Sequence, residues 1–499
     1  MTKPSINYVR TGMLPQEKPP ASQVGAVKWA RDNLFSGPLN SILTLISLFV
    51  VYWLVISSLP WLLNGVWHAS SLPECRSIIE ANAGPGASGA CWALINERWH
   101  QFLFGFYPQD IYWRPVLAFG LMLVALAPVL YYGLRRTNML IAGVIGVLTV
   151  LAVEGVAGKA ALPEGAAATP GLTGLDGSVL LLTIVIMALL FVIAAMRPKS
   201  LLIITAIFPF AAFFLLWGGS IWGPIGVMAG FGLLVLVWRA LQGRLGVVMA
   251  GAIGVIIAVL WWLKLQPYVT TPLHNMLPIQ LASVSSDKFG GFLLSFVIGV
   301  TAVSASLPMG LLLALGRRSD MLFIKTVSVG FIEFIRGVPL ITMLFTASLL
   351  LNYFLPPQSN FDLILRVIIL VTFFASAYIA EVIRGGLAAL PKGQGEAADA
   401  LGLDYWQAQR FIILPQALKI SIPGIVSSFI GLFKDTTLVA LVGLADPLQG
   451  ITKIVRADIN WKGVYWEPLI FVGAIFFIFC FAMSRYSMYL ERKLKTDHR

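Results

Sequence analysis

The chain has 499 residues, of which 58% are hydrophobic and only 12% charged, with a mean hydropathy of +0.84 and a formal net charge of +12. An average soluble domain is about a quarter charged, so this composition excludes an ordinary soluble protein. The basic residues lie between apolar runs rather than in one patch, which argues against nucleic acid as a partner.

Residues 1–39 are polar, carry Pro15, Pro19, Pro20 and Pro38, and read as a cytoplasmic tail. Apolar runs of about 20 residues, the length that crosses a bilayer core of about 30 Å, then recur along the chain. They fall at about 40–63, 115–134, 139–157, 178–196, 201–217, 222–240, 245–263, 290–315, 339–355, 362–384, 421–444 and 467–487. The expected fold is all-α and polytopic, with about 12 transmembrane helices. The first run starts too late, and is too long, for a cleaved signal peptide. With the N-terminus inside, most of the 35 Lys and Arg residues fall on the inner side, among them Arg135-Arg136, Arg317-Arg318 and the tail Arg492-Lys493. That asymmetry predicts a multi-pass protein of the plasma membrane with both termini cytoplasmic.

The first two spans, 40–134, enclose a Trp- and Gly-rich outer loop at 64–114 that contains Cys75 and Cys91. An oxidising periplasm would permit a disulfide there, and closing a loop of that length stabilises by about 3 kcal/mol. The alternative is two free thiols. Cys480, in the last span, reads as a packing residue. Residues 135–288 form an additional transmembrane extension in which 139–263 is almost purely apolar, Glu154 being the exception, and 158–177 is an outer loop. This block reads as scaffold.

The character changes near Gly290. Pro308, Pro339 and Pro423 interrupt the spans of 289–490, and polar groups enter them. Glu333 and Arg336, three apart on one helix face, are placed to pair, and Pro339 suits the first turn of the next helix. Lys434-Asp435-Thr436-Thr437 breaks an apolar span. Ionisable groups at membrane depth pair or line a pathway, so this couple is either a contact for a zwitterion or a self-neutralising structural pair. Arg366 and Glu381 in the tenth span carry the same ambiguity, although Glu381 with Arg384 reads more easily as a local pair.

Between two of these spans, residues 385–420 read as a compact helical insert. Pro391 opens a first helix over 394–401, through Glu396, Ala397 and Ala398. Gly402 fits the left-handed residue that ends it, and Asp404 with Gln407 stands in capping-box register for a second helix. The second helix carries Tyr405 and Trp406 and is expected to stop before Pro415. Two short helices at an angle make a stiff lever, and exposed aromatic residues on it want a partner. The chain has no Gly-x-x-x-x-Gly-Lys-Ser/Thr phosphate loop, no His/Cys set at metal spacing and no nucleophile–base pair. Neither a metal nor a cofactor is expected in this chain, and it is not expected to be an enzyme.

The spacing Glu396-Ala397-Ala398, Gly402, Ile412, Leu414-Pro415 resembles the EAA loop of ABC importer permeases, the foot that docks into a separate ATPase. Residues 290–490 resemble the five-helix core of type I (MetI-like) permeases of the polar amino-acid class, which carry a similar Glu-x-x-Arg-Gly-x-Pro-Leu before the corresponding span. Phe331-to-Leu344, Tyr378-to-Pro415, Phe429-to-Val439 and Cys480-to-Ser487 are similar to the membrane subunits of the general L-amino-acid transporter. The stretch Cys91-to-Glu97 favours the AapM-type of subunit over its usual partner. Where relatives often carry Asn, this chain has Ser427-Ser428, and the spans at 139–263 exceed what the resemblance leads one to expect.

The resemblance implies a heterodimer with a second, homologous permease, two copies of an ATPase that bind ATP and Mg, and a periplasmic amino-acid-binding protein that delivers L-amino acids. Lipid surrounds the bundle. The alternative from the residues alone is an ATP-independent secondary transporter or channel, which would favour paired repeats and ionisable residues spread through the bundle. A non-transporting scaffold is a further reading for 1–288 taken alone.

Overall fold

The computed structural model describes residues 25–132, 134–157, 174–346, 348 and 362–494. The start of the expected N-terminal tail, most of the outer loop at 158–177, the second half of the ninth span and the last five residues lie outside them. Among the described residues, 11 helices are long and apolar enough to cross a membrane. The span expected at 339–355 is represented by the short helix Leu340–Phe345.

The chain divides into two units, Met1–Asn96 and Glu97–Arg499. In the first, α1 (Gly25–Asn33) precedes α2 (Pro38–Leu63), which opens on Pro38 where a missing N–H has no partner to lose. No residue of α2 is buried and its apolar side chains point all round, as expected of a helix bathed in lipid. The outer loop then folds on itself. Ser71 caps α3 (Leu72–Ala83), and a disulfide joins Cys75 on that helix to Cys91. Trp92, beside the disulfide, stacks on Trp67 at 5.5 Å and tilts against Trp61 at 6.0 Å. The next helix is α4 (Ala93–Phe104).

In the second unit, α5 (Trp113–Leu130), α6 (Arg135–Ala157), α7 (Gly174–Met196) and α8 (Leu201–Trp217) pack around Leu117, Val124, Ala142, Met187, Leu190 and Ala194. With little hydrophobic gain from burial in lipid, such contacts depend on close approach and interhelical hydrogen bonds, such as Thr205 Oγ1 donating to Ala125 O at 2.6 Å. The long helix α9 (Trp222–Leu260) is broken at Gly246, whose φ of 77° lies where a Cβ would clash, and this break divides it into the two spans read from the sequence. A π-turn at Trp261–Leu265 leads into α10 (Gln266–Met276), and a two-stranded antiparallel ladder pairs β1 (Gly219–Ser220) with β2 (Gln280–Leu281).

The C-terminal bundle consists of α11 (Gly291–Arg317), α12 (Leu322–Gly337), α13 (Leu340–Phe345), α14 (Leu363–Ala388), α15 (Gly393–Ala400), α16 (Tyr405–Ala408), α17 (Leu414–Asp435), α18 (Pro447–Ala457) and α19 (Trp466–Leu494). Small residues bring its central helices together. A Cβ on Gly310 of α11 would lie 2.7 Å from Ile379 of α14, and one on Gly386 of α14 would lie 2.6 Å from the backbone of Ala417 on α17. The shared core runs through Leu294, Ile298 and Ala302 of α11 and Val367, Val371 and Ala375 of α14. At the opposite end of the bundle from the helical insert, Trp461 donates its indole N–H to Glu97 at 2.9 Å and Arg98 pairs with Asp458 at 2.7 Å, fastening the loop before α19 to the middle of α4.

Candidate functional site

Three groups of side chains stand out in the C-terminal bundle. The first is ionic and joins α11, α12 and α14. Arg317, the last residue of α11, donates to Glu333 of α12 at 2.9 Å and to Glu381 of α14 at 2.6 Å. Glu381 also receives Arg384 from the next turn at 3.0 Å and Arg336 of α12 at 3.6 Å. Arg336 lies over the ring of Tyr378, 5.7 Å from its centroid. The Glu333–Arg336 pair expected from the i,i+3 spacing is therefore not formed. The two side chains diverge, Glu333 to Arg317 and Arg336 to Glu381, because cations and carboxylates on the neighbouring helices lie closer than each does to the other. The local Glu381–Arg384 contact is formed, within a larger cluster. Arg317 was legible only as a topological charge. The signal available for the rest was the recurrence of Tyr378, Glu381 and Arg384 every three residues on one face of α14.

The second group is the helical insert. Glu396 and Ala397 of α15 are exposed, while Ala398 is fully buried. Gly402 takes φ 69°, and the N–H of Leu403 returns to Ala398 O at 3.2 Å, closing α15 in the manner a left-handed residue permits. Asp404 accepts from Gln407 N at 2.8 Å and Gln407 Oε1 accepts from Asp404 N at 3.1 Å, a complete capping box. Tyr405 and Trp406 then present 53% and 55% of their surfaces, beside exposed Leu401 and Phe411. Gln416 donates to Gln394 at 3.1 Å, tying the far limb of the insert to the near one.

The helix does not stop before Pro415. A π-turn over Gln409–Ile413 runs straight into α17, so Pro415 lies within a continuous helical path, and its missing N–H falls where the preceding backbone is already wound in the wider π register. The insert is thereby continuous with a membrane helix, and Tyr405–Val442 forms one apolar segment.

The third group surrounds the end of α17. Asp435 ends that helix, and Thr436 and Thr437 open a 3-10 turn, each returning its hydroxyl to the backbone, at Phe433 O and Lys434 O respectively. Thr436 is fully buried. Asp435 lines a cavity of ≈ 260 Å³ with Phe374, Ala375 and Tyr378 of α14 and Ser428, Gly431 and Leu432 of α17. Lys434 is exposed, does not line this cavity and makes no ion pair with Asp435 among the described residues. Consecutive helical residues point about 100° apart, so the two side chains make no direct contact, although Lys434 remains near enough to act on Asp435 electrostatically. Pro339 caps α13 from just outside it rather than sitting in its first turn. Among the described residues, no group of three or more His, Cys, Asp or Glu could hold a metal ion.

Residues 306–496 match the family of binding-protein-dependent transport system inner membrane components. The chain is 57% identical, over 99% of its own length and 99% of the relative's, to the glutamate/glutamine/aspartate/asparagine transport system permease protein BztC of Rhodobacter capsulatus. It is 32% identical, over 94% of both chains, to the inner membrane amino-acid ABC transporter permease protein YhdY of Escherichia coli. Among solved structures, a chain of an amino acid ABC transporter with histidines is 32% identical, covering 40% of this chain and 91% of that one, with a TM-score of 0.36.

Proposed function

The chain belongs to the amino-acid permeases of ABC transporters, and from that membership we propose that it carries acidic and amide L-amino acids inward across the bacterial inner membrane. In this reading a periplasmic binding protein delivers the substrate, and a second homologous permease completes the pathway. Two copies of a separate ATPase bind ATP and Mg and do the hydrolysis, since this chain has no phosphate loop. The choice of substrates follows the relative named for glutamate, glutamine, aspartate and asparagine.

The observation that carries the coupling role is the insert Gly393–Ile413, capped at both turns, continuous with α17 and exposing Leu401, Tyr405, Trp406 and Phe411. A rigid element rooted in α14 and α17 transmits force, whereas a flexible loop would absorb it. Glu396, Ala397, Gly402, Tyr405, Trp406 and Pro415 are assigned to this contact, while the buried Ala398 seats α15 against the rest of the chain. The cavity at Asp435 supplies a carboxylate for an α-ammonium group and hydroxyls at Ser428 and Tyr378. The ionic cluster of Arg317, Glu333, Arg336, Glu381 and Arg384 closes the inner end of the same helices, with Pro339 setting the turn into α13.

The test is uptake by proteoliposomes holding the chain, its partner permease and the ATPase, with binding protein supplied outside. Uptake should require ATP. Gly402→Asp places a negative charge at the docking face. A Cβ there would have no atom within 4 Å, and aspartate tolerates the left-handed conformation better than most residues, so the fold should persist while uptake falls at least about tenfold. Uptake that continues without ATP would refute the coupling.

A further inference from the structure

Arg366 is the fourth residue of α14 and only 6% exposed, so its guanidinium sits inside the bundle near the end of the helix remote from the ionic cluster. Its Nη1 donates to Ser348 O at 3.2 Å, while its Nε has no partner. No carboxylate of the described residues comes within ion-pair distance of it. Asp362, one turn earlier, spends its side chain on capping Leu365 N at 3.2 Å. The neighbouring segment 347–361 contains no Asp or Glu, so it holds no counter-charge either. An arginine cannot shed its proton, and an enclosed cation without an anion is costly in a membrane protein. Such a group fits a site whose anion arrives from outside the chain.

The surroundings indicate which anion. Further along α14, Leu370, Phe373, Phe374 and Ala377 pack on Ile335 and Met343 of α12 and α13, forming an apolar wall, and the cation at its inner edge, Arg336 over the Tyr378 ring, is already paired with Glu381. Phe374, eight residues and about 12 Å along the helix from Arg366, then lines the Asp435 cavity. That cavity carries an acidic group and two hydroxyls, a set suited to an ammonium and not to a carboxylate. A neutral zwitterion brings its own balance of charge. An acidic amino acid carries one further negative charge, and Arg366 is the enclosed, uncompensated positive charge on the helix that it would follow.

We propose that Arg366 recognises the side-chain carboxylate of an acidic amino acid on its way to the Asp435 cavity, and so sets the preference for acidic over amide substrates. The inference rests on the amino-acid transport proposed above. The planar fork of arginine matches a carboxylate with two parallel hydrogen bonds, which an amide side chain cannot reproduce.

The experiment uses the complete complex in proteoliposomes, with saturating binding protein preloaded with L-glutamate or with L-glutamine. If the wild-type complex takes up neither in the presence of ATP, the transport reading itself fails, independently of Arg366. Given wild-type uptake, Arg366→Gln should lower the maximal rate for glutamate about tenfold while glutamine stays within about twofold. Arg366→Lys keeps the charge but loses the fork, and its glutamate-to-glutamine ratio should fall about threefold. Equal losses for both substrates, or no loss for either, overturn the proposal and leave Arg366 as a cap for the carbonyl of Ser348. Where the Gln variant does not co-purify with its partners, the ratio in the Lys variant decides: an unchanged ratio overturns the proposal.

Discussion

Glu381 faces three guanidiniums, from Arg317, Arg336 and Arg384, and among the described residues only Arg317 has a second carboxylate, at Glu333. Its side chain is 16% exposed, whereas those of the cations range from 25% to 44%, so the carboxylate is the enclosed member that the cations surround. Removing one member of a fully buried ion pair costs about 3–5 kcal/mol, because the other charge is left uncompensated. Partial exposure of the arginines lowers that figure here, and Glu381→Gln should destabilise the solubilised protein by about 2 kcal/mol. The check is the midpoint of thermal unfolding in detergent, which should drop clearly in low salt and less in 1 M salt, where repulsion between Arg317 and Arg336 is screened. A midpoint that does not move would show that the cluster holds nothing together. The sequence displayed every one of these charges but not their pairing. The i,i+3 rule is a statement about one helix, and Arg317 reaches Glu333 and Glu381 only once the rotation of three helices is fixed.

At the scale of elements, spans and caps were legible while continuity was not. Apolar length is a one-dimensional property, so the spans at 40–63, 201–217 and 362–384 correspond to helices within a few residues. The capping box at Asp404–Gln407 was equally local and equally readable. The expectation of a stop before Pro415 failed because a π-turn absorbs the register shift, a feature with no compositional mark. Asp446 was likewise not singled out. It caps α18 by accepting from Leu448 N at 3.1 Å and Gln449 N at 2.9 Å, and it is fully buried. Burial outweighs those hydrogen bonds and the pull of Lys453, raising its carboxyl from the ordinary 3.8 to about 6. With the folded value above the unfolded one, the folded state holds the extra proton between those two pH values. This group's contribution to stability is therefore greatest below about 4 and is lost as the pH rises through about 6. Hydrogen exchange, corrected for its intrinsic pH dependence, should find α18 better protected at pH 5 than at pH 7.5, by on the order of 1–2 kcal/mol. Asp446→Asn should abolish that difference, and equal protection at both pH values in the unsubstituted protein would contradict the argument.

At the scale of the whole molecule, one orientation must satisfy every loop at once. Basic residues at Arg135-Arg136, Arg197, Lys199 and Arg317-Arg318 fall on the side that carries the insert with Tyr405 and Trp406. The opposite side carries the Glu97–Trp461 and Arg98–Asp458 ties, together with Ile459, which is 91% exposed. These long-range ties join residues more than 350 positions apart and leave no periodic trace, which is why they could not be read from the chain alone. The charge bias on its own predicts the insert inside and Ile459 outside. Single reporter cysteines, Ile459→Cys and Trp406→Cys, placed in a chain with Cys480→Ala, make this measurable with a membrane-impermeant maleimide. The native Cys75–Cys91 disulfide is retained, so neither of its sulfurs reacts. Cells with a permeabilised outer membrane should label the Ile459→Cys protein at once. The Trp406→Cys protein should react only after the inner membrane is opened. Labelling of Trp406→Cys from outside would place the insert where no ATPase can reach it, and the same result would remove the insert from the coupling role proposed for it.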